Sequence, residues 1–283
     1  MKNLIVIGKG PAGISAALYA VRGGANLSII AKDGGALEKA DKIENYYGFN
    51  GGISAKKLIT DGVLQAEKLG VEIIDAEVHG VEYAANGFTV KTTAGSREAN
   101  AVIIACGTTR NVPPIANIEK FEGSGISYCA ICDAFFFRGR KVAVIGNAAY
   151  AKAEYDVLKN VIENVTILTN GETPQFDLPC NTKRIDRLEG ESRLERVVFS
   201  DGTSENFDGI FIACGSAGAF ELAKKLGLEH KNNKIITNEN RATNVPGIYA
   251  AGDCTAGLQQ IAKAVYDGMI AGTQALKYLK SID

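Results

Sequence analysis

LIVIGKGPAGISAALYAVRGGANLSIIA, residues 4–31, decides how the rest of the chain is read. An apolar run at 4–7 meets the turn Gly8-Lys9-Gly10-Pro11-Ala12-Gly13. Helical spacing follows over 14–22, and a second apolar run, 27–31, comes about 20 residues after the glycines. This is a strand–turn–helix–strand unit. Its glycines allow a tight turn and a close backbone approach, and the helix start offers free N–H groups to a pyrophosphate. The GxGxxG spacing is weak evidence alone; between a strand and a helix it points to a dinucleotide.

Further along, 81–93 reads as a hairpin around Asn86-Gly87, and 101–105 as a buried strand ending in Cys106-Gly107. Pro113-Pro114 breaks regular structure. A second unit then starts: strand 141–145, the turn Gly146-Asn147-Ala148-Ala149-Tyr150-Ala151, helix 150–160 and strand 165–168. Strand 209–213 ends in Ala-Cys-Gly, as 102–107 does, so the chain reads as an internal duplication. Strand 247–251, the turn Gly252-Asp253 and a helix over 259–279 close it. The expected fold is α/β, with two Rossmann-like, doubly wound, three-layer domains. The second is inserted in the first: 1–112 with 242–283, and 113–241.

The bulk numbers exclude other classes. Net charge is −1, from 31 basic and 32 acidic residues, which suits neither nucleic acid nor an anionic membrane. A hydrophobic content of 46% fits a packed chain, and no apolar run approaches the ~20 residues of a membrane span. Gly8 and Lys9 come too early for a signal-peptide core, so a cytoplasmic protein is expected. Six cysteines, at 106, 129, 132, 180, 214 and 254, form no disulfide framework in such a chain. Four are scattered and read as small buried side chains. Cys129 and Cys132 form one CxxC; with histidines only at 79 and 230, a redox pair is a better reading than a metal site.

The order and spacing of several motifs resemble the low-molecular-weight flavin thioredoxin reductases along nearly the whole chain. The motifs are the first GxGPAG, Glu44-Asn45-Tyr46, Ala105-Cys106-Gly107, Ser127-Tyr128-Cys129-Ala130-Ile131-Cys132-Asp133, the run from Thr243 through Pro246 to Gly252-Asp253, and Gln259-Gln260-Ile261. The resemblance implies FAD, a homodimer, and thioredoxin as the disulfide substrate. It implies that Gly8, Gly10, Pro11, Ala12 and Gly13 cradle the FAD pyrophosphate, with Gly35, Leu37, Ala105 and Gly107 beside the cofactor. Asn45 would hydrogen-bond near the flavin, and Val78 would meet the adenine. Gly252 and Asp253 would contact the ribityl and pyrophosphate region, and Gln260 and Ile261 the ring; core packing explains Val78 and Ile261 equally well. It also implies that Cys132 faces the flavin, Cys129 attacks the partner disulfide, and Asp133 serves as the acid–base group. For Asp133, a helix-start acid favouring the dipole is the competing reading.

One site departs from the family. Its second dinucleotide loop serves NADPH, followed by paired arginines that grip the 2′-phosphate. Here Ala148 replaces the middle glycine, Tyr150 a small residue and Ala153 an acid, and Thr169-Asn170-Gly171-Glu172 contains no arginine. No NADPH use is therefore expected, and the pattern is most similar to the ferredoxin-dependent subgroup. Ferredoxin is then the expected donor. Lys56-Lys57, Arg138/Arg140/Lys141 and Lys224-Lys225 are candidate docking charges. Three alternatives stay open: NAD(P)H use through an atypical pocket, a dithiol oxidase passing electrons to oxygen, and a non-catalytic redox sensor.

Overall fold

The computed structural model describes residues 2–107, 112–215 and 218–282, apart from the side chains of Lys39 and Cys132. Its helices are α1 (Pro11–Arg22), α2 (Ala55–Lys68), α3 (Ala130–Asp133), α4 (Ala149–Lys159), α5 (Ala219–Lys225) and α6 (Ile261–Ser281). The chain divides into two compact units, Met1–Thr109 with Gly218–Asp283, and Arg110–Ala217.

The first unit is built on a five-stranded parallel sheet. Its order is Ile248–Ala250, Ala101–Ile104, Asn3–Ile7, Asn26–Ala31 and Glu72–Asp75. Leu4, Val6, Ile29, Ile30, Ile103 and Ile104 are wholly buried, as parallel strands covered on both faces require. That explains why these strands read as unbroken apolar runs. A three-stranded antiparallel meander adds Val78–Ala84, Gly87–Thr92 and Gly95–Ala99; its first turn is Ala85-Asn86, one residue before the expected Asn86-Gly87, because Gly87 already pairs with Ala84. Helix α1 starts at Pro11, three residues before the apolar spacing begins, because proline is well suited to a first helical position.

The second unit repeats the plan. Its parallel sheet runs Ile126–Ser127, Gly209–Ile212, Lys141–Ile145, Asn164–Leu168 and Cys180–Asn181. Its own meander is Ile185–Glu189, Arg196–Phe199 and Ser204–Asn206. The α/β fold with parallel-sheet, Rossmann-like domains is thus present twice.

The chain returns to the first unit at Gly218, upstream of the expected 242. Local contacts account for the difference: Tyr83 Oη donates to the Leu226 carbonyl at 2.6 Å, and Lys234 Nζ donates to the Asp253 carbonyl. The 219–241 segment therefore packs on the meander and on the turn after the last strand, contacts a linear motif does not reveal.

Helices α1 and α6 meet backbone to backbone. A Cβ on Gly268 would stand 2.1 Å from the Ala12 carbonyl oxygen, and one on Gly272 2.1 Å from that of Ala16. Ser15 Oγ adds a hydrogen bond to the Val265 carbonyl at 2.7 Å. Gly272→Ala is expected to force these helices apart and destabilise the protein by about 1–3 kcal/mol. Equilibrium urea unfolding checks this: the midpoint should fall with little change in slope.

Candidate functional site

The loops after the strands of the first sheet gather at its carboxyl ends, the edge where open α/β sheets bind ligands. Gly8 has φ +111°, and a Cβ there would stand 2.5 Å from the Ala105 carbonyl oxygen. A Cβ on Gly13 would stand 1.8 Å from the Gly8 carbonyl oxygen. Protein packing thus accounts for both glycines. Gly10 is different: a Cβ there would meet nothing nearer than the Gly34 carbonyl oxygen at 3.8 Å. Gly10 is the N-cap of α1, with no capping side chain and no acid in the first turn. An uncapped, acid-free helix start with open space at its glycine suits a diphosphate.

Other expected residues converge here. Asn45 Nδ2 donates to Gln260 Oε1 at 3.0 Å, linking positions far apart in the chain. Leu37, Tyr46, Gly10, Pro11 and Ile261 line one cavity of about 190 Å³. Gly35 opens a short 3-10 turn at φ +72° and donates from its N–H to Asp33 Oδ1 at 2.9 Å. Ala105 follows strand Ala101–Ile104, with its N–H on the Ile7 carbonyl, and Gly107 has φ +68° with open space around it. Val78 is buried at the start of the meander.

The Gly252-Asp253 turn rests on charges the motif reading missed. A Cβ on Gly252 would stand 2.8 Å from that of Ala12, so the turn abuts the start of α1. Gly252 N–H donates to Asp267 Oδ2 at 3.1 Å. Asp267 is wholly buried, with Arg241 Nε 2.8 Å from Oδ1 and Lys263 Nζ 2.8 Å from Oδ2. Lys263 also donates to the Gly252 carbonyl and to Thr255 Oγ1, both at 2.7 Å. A lone acid four residues after a lysine on an apolar helix was the available signal.

In the second unit the same turn is built differently. Gly146, at φ +157°, would place a Cβ 2.2 Å from the Ala213 carbonyl oxygen, the counterpart of Gly8 against Ala105. Ala148 stands where Gly10 does, as the N-cap of α4. The segment after strand Asn164–Leu168 folds back onto this turn. Asn147 Nδ2 donates to the Thr173 carbonyl at 3.1 Å, and Gln175 N–H donates to the Asn147 carbonyl at 2.7 Å. Tyr150 is buried, with Oη 3.4 Å from the Tyr128 carbonyl.

Cys129 is wholly buried and disulfide-bonded. Cys132 lies in α3; its side chain is outside the described residues. Ser127 Oγ donates to Asp133 Oδ2 at 2.6 Å and accepts from Cys129 N–H at 3.1 Å. The Asp133 carboxylate is thereby held beside the cysteine backbone. Glu154, buried in α4, accepts from Ala130 N–H at 2.7 Å. The sequence reading missed both Ser127 and Glu154 as positioning groups. Cys106, Cys180, Cys214 and Cys254 are free. Burial pushes the thiol of Cys254 up to about 12 and that of Cys214 up to about 11, and moves Cys106 the same way. Such thiols stay protonated and unreactive near neutral pH.

The profile of the pyridine nucleotide-disulphide oxidoreductases matches residues 2–183 and 175–268. The chain belongs to this family. Among curated members, the thioredoxin reductase of Listeria monocytogenes is 32% identical over 99% of this chain and 94% of its own. Among solved structures, the atypical thioredoxin reductase TRi of Desulfovibrio vulgaris Hildenborough is 35% identical, with a TM-score of 0.89 over 99% of this chain and 98% of its own. A ferredoxin-flavin thioredoxin reductase from Clostridium acetobutylicum is 27% identical, with a TM-score of 0.70 over 99% and 98%. As a member of this disulphide oxidoreductase family, the protein is a thioredoxin reductase-like flavoprotein oxidoreductase, and the family implies FAD. The open space at Gly10 and the uncapped start of α1 fit that cofactor. No helix among the described residues is long and apolar enough to cross a membrane.

Two outcomes follow from the site chemistry. Asp267→Asn removes the shared counter-charge of Arg241 and Lys263, whose side chains keep 23% and 18% exposure. A loss of about 2–4 kcal/mol is expected, short of that for a fully buried pair broken on one side, and is measured by denaturant unfolding. With the disulfide intact at pH 8, Cys254 should alkylate about three orders of magnitude more slowly than an unperturbed thiol. The ratio follows from its thiolate fraction at a pKa of about 12, and peptide mass mapping over time reads it.

Proposed function

We propose that this protein reduces thioredoxin with electrons from reduced ferredoxin, using FAD and a redox disulfide formed by Cys129 and Cys132, and that it works as a homodimer. The observation carrying the choice of donor is the closed second turn. Ala148 occupies the position that Gly10 leaves open, and the Thr173–Gln175 backbone is hydrogen-bonded across Asn147. A nicotinamide dinucleotide would need that space for its pyrophosphate. Thr169-Asn170-Gly171-Glu172, directly after strand Asn164–Leu168, contains no guanidinium for a 2′-phosphate. Likeness to the Clostridium ferredoxin-flavin enzyme supports the same reading.

The roles of the chain's own groups follow from their positions. The N-terminal N–H groups of α1, reached past Gly10, hold the FAD pyrophosphate together with Gly8, Pro11, Ala12 and Gly13. Gly35, Leu37, Val78, Ala105, Gly107, Gly252 and Asp253 flank the cofactor, while the Asn45–Gln260 pair and Ile261 border its ring. Bound FAD supplies the chemistry that joins a one-electron donor to a two-electron disulfide. Cys132 would face the flavin, and Cys129 would be the thiol that attacks the thioredoxin disulfide. Asp133, oriented by Ser127, takes up and returns the proton at the cysteine sulfur. Two reduced ferredoxins and two protons convert one thioredoxin disulfide to a dithiol. Donor and acceptor potentials near roughly −400 and −270 mV make this about 6 kcal/mol downhill.

Of the candidate docking charges, Lys57 and Lys141 carry carboxylate partners, Asp61 and Glu205, and Arg138 lies over the Phe135 ring. One observation favours NADPH instead: Arg184 passes Gly171, its Cβ 3.5 Å from the point a Gly171 Cβ would occupy. An arginine beside that turn is a candidate partner for a 2′-phosphate. Anaerobic spectroscopy separates the two readings. The visible flavin band should bleach with catalytic reduced ferredoxin and persist with excess NADPH or NADH. Prompt bleaching by either nucleotide overturns the ferredoxin reading.

A further inference from the structure

In dinucleotide folds the ribose hydroxyls are taken by an acid about 20 residues beyond the glycine turn, at the end of the second strand. Here that strand, Asn26–Ala31, ends in alanine, and Lys32 and Asp33 follow. Asp33 is exposed, and its Oδ1 is engaged by Gly35 N–H at 2.9 Å. A different carboxylate arrives at this edge. Glu77 lies in the short link between strands Glu72–Asp75 and Val78–Ala84. Ala31 pairs with Asp75 in parallel register, so Glu77 sits just beyond the carboxyl end of the strand next to Asn26–Ala31.

Glu77 is only 7% exposed. Its Oε2 lies 3.3 Å from Lys32 Nζ, while Oε1 is buried with no hydrogen-bond partner. The backbone is pinned on both sides: Glu77 N–H donates to Thr93 Oγ1, and its carbonyl accepts from Thr93 N–H, each at 3.0 Å. A buried carboxylate oxygen without a donor is costly, and native structures retain few of them. A rigid acceptor of this kind, set where a dinucleotide ribose lies, is matched by a ligand hydroxyl.

We propose that Glu77 accepts a hydrogen bond from the adenosine ribose of FAD, in place of Asp33, whose carboxylate is engaged by the Gly35 N–H. Lys32 engages Oε2 and leaves Oε1 for the ligand. The assignment rests on the flavoprotein reading and is independent of the electron donor. It deepens that reading by naming the residue that recognises the ribose.

Equilibrium exchange on the holoenzyme tests it. Purified protein is incubated with equal excesses of FAD and an FAD analogue whose adenosine ribose lacks both hydroxyls. The flavins that remain bound are then quantified by chromatography. Wild-type protein is expected to favour FAD by about tenfold or more, the effect of one hydrogen bond to a charged acceptor. In Glu77→Gln the preference should fall to about threefold or less. Glu77→Asp, which withdraws the carboxylate while keeping its charge, should show the same fall with a native melting profile. Equal occupancy by both flavins in wild-type protein overturns the assignment, as does full preference in a folded variant. A wild-type chain that binds neither flavin overturns it together with the flavoprotein reading.

Discussion

The carbonyl oxygen of Ala105 lies 2.5 Å from the point that a side chain on Gly8 would occupy, and the Gly8 carbonyl crowds Gly13 still more closely. These approaches let the chain leave the first strand, reverse over the neighbouring strand end and enter α1 within a few residues. The N-terminus of α1 therefore lands at the sheet's ligand-binding edge with its N–H groups unclaimed. The far side of α1 is fixed by the same device, since Gly268 and Gly272 bring α6 against the carbonyls of Ala12 and Ala16. Helix α6 then carries Ile261 at its start and Asp267 one turn and a half later, so the cavity wall and the anchor of the Gly252 turn share one rigid element.

The duplicated unit shows which parts of this device are structural and which serve a ligand. Gly146 meets Ala213 as Gly8 meets Ala105, and its N–H reaches the Leu168 carbonyl as that of Gly8 reaches Ile30. Those contacts are needed to close the fold, and both units keep them. In the first unit a Cβ at the position between would meet nothing nearer than the Gly34 carbonyl oxygen at 3.8 Å, so protein packing does not require glycine there. That is the position where the second unit carries alanine. Loss of a ligand would relax selection at this residue and leave its neighbours untouched.

Much of this was legible in the sequence because it is local or periodic. Unbroken apolar strands, the two βα turns, the Asn86-Gly87 hairpin and the Ala-Cys-Gly strand ends each carry their physics in a few adjacent residues. What could not be read depends on contacts between distant segments. The Asp267 cluster joins Arg241, Lys263 and Gly252 through the fold, and the backbone clasp between Asn147 and the Thr173–Gln175 segment uses side chains of no motif. The return of the chain at Gly218 is invisible for the same reason, since a hydrogen bond from Tyr83 to Leu226 has no sequence signature. Strands as short as Ile126–Ser127 and Cys180–Asn181 owe their existence to the parallel neighbours they pair with.

The cysteines divide by environment, and the division is chemically consistent. Three free thiols are pushed up by burial, which removes them as nucleophiles and protects them from exchange with the redox pair. Cys129 is wholly buried but lies in a polar setting, with Ser127 and Asp133 on one side and Glu154 bonded to the next residue's N–H on the other. Glu154 belongs to α4, the helix that opens at Ala148. A helix whose N-cap is alanine is thus tied to the disulfide region at its second turn. This explains why the second unit retains a dinucleotide-type frame: the frame holds the cysteines whether or not it holds a nucleotide.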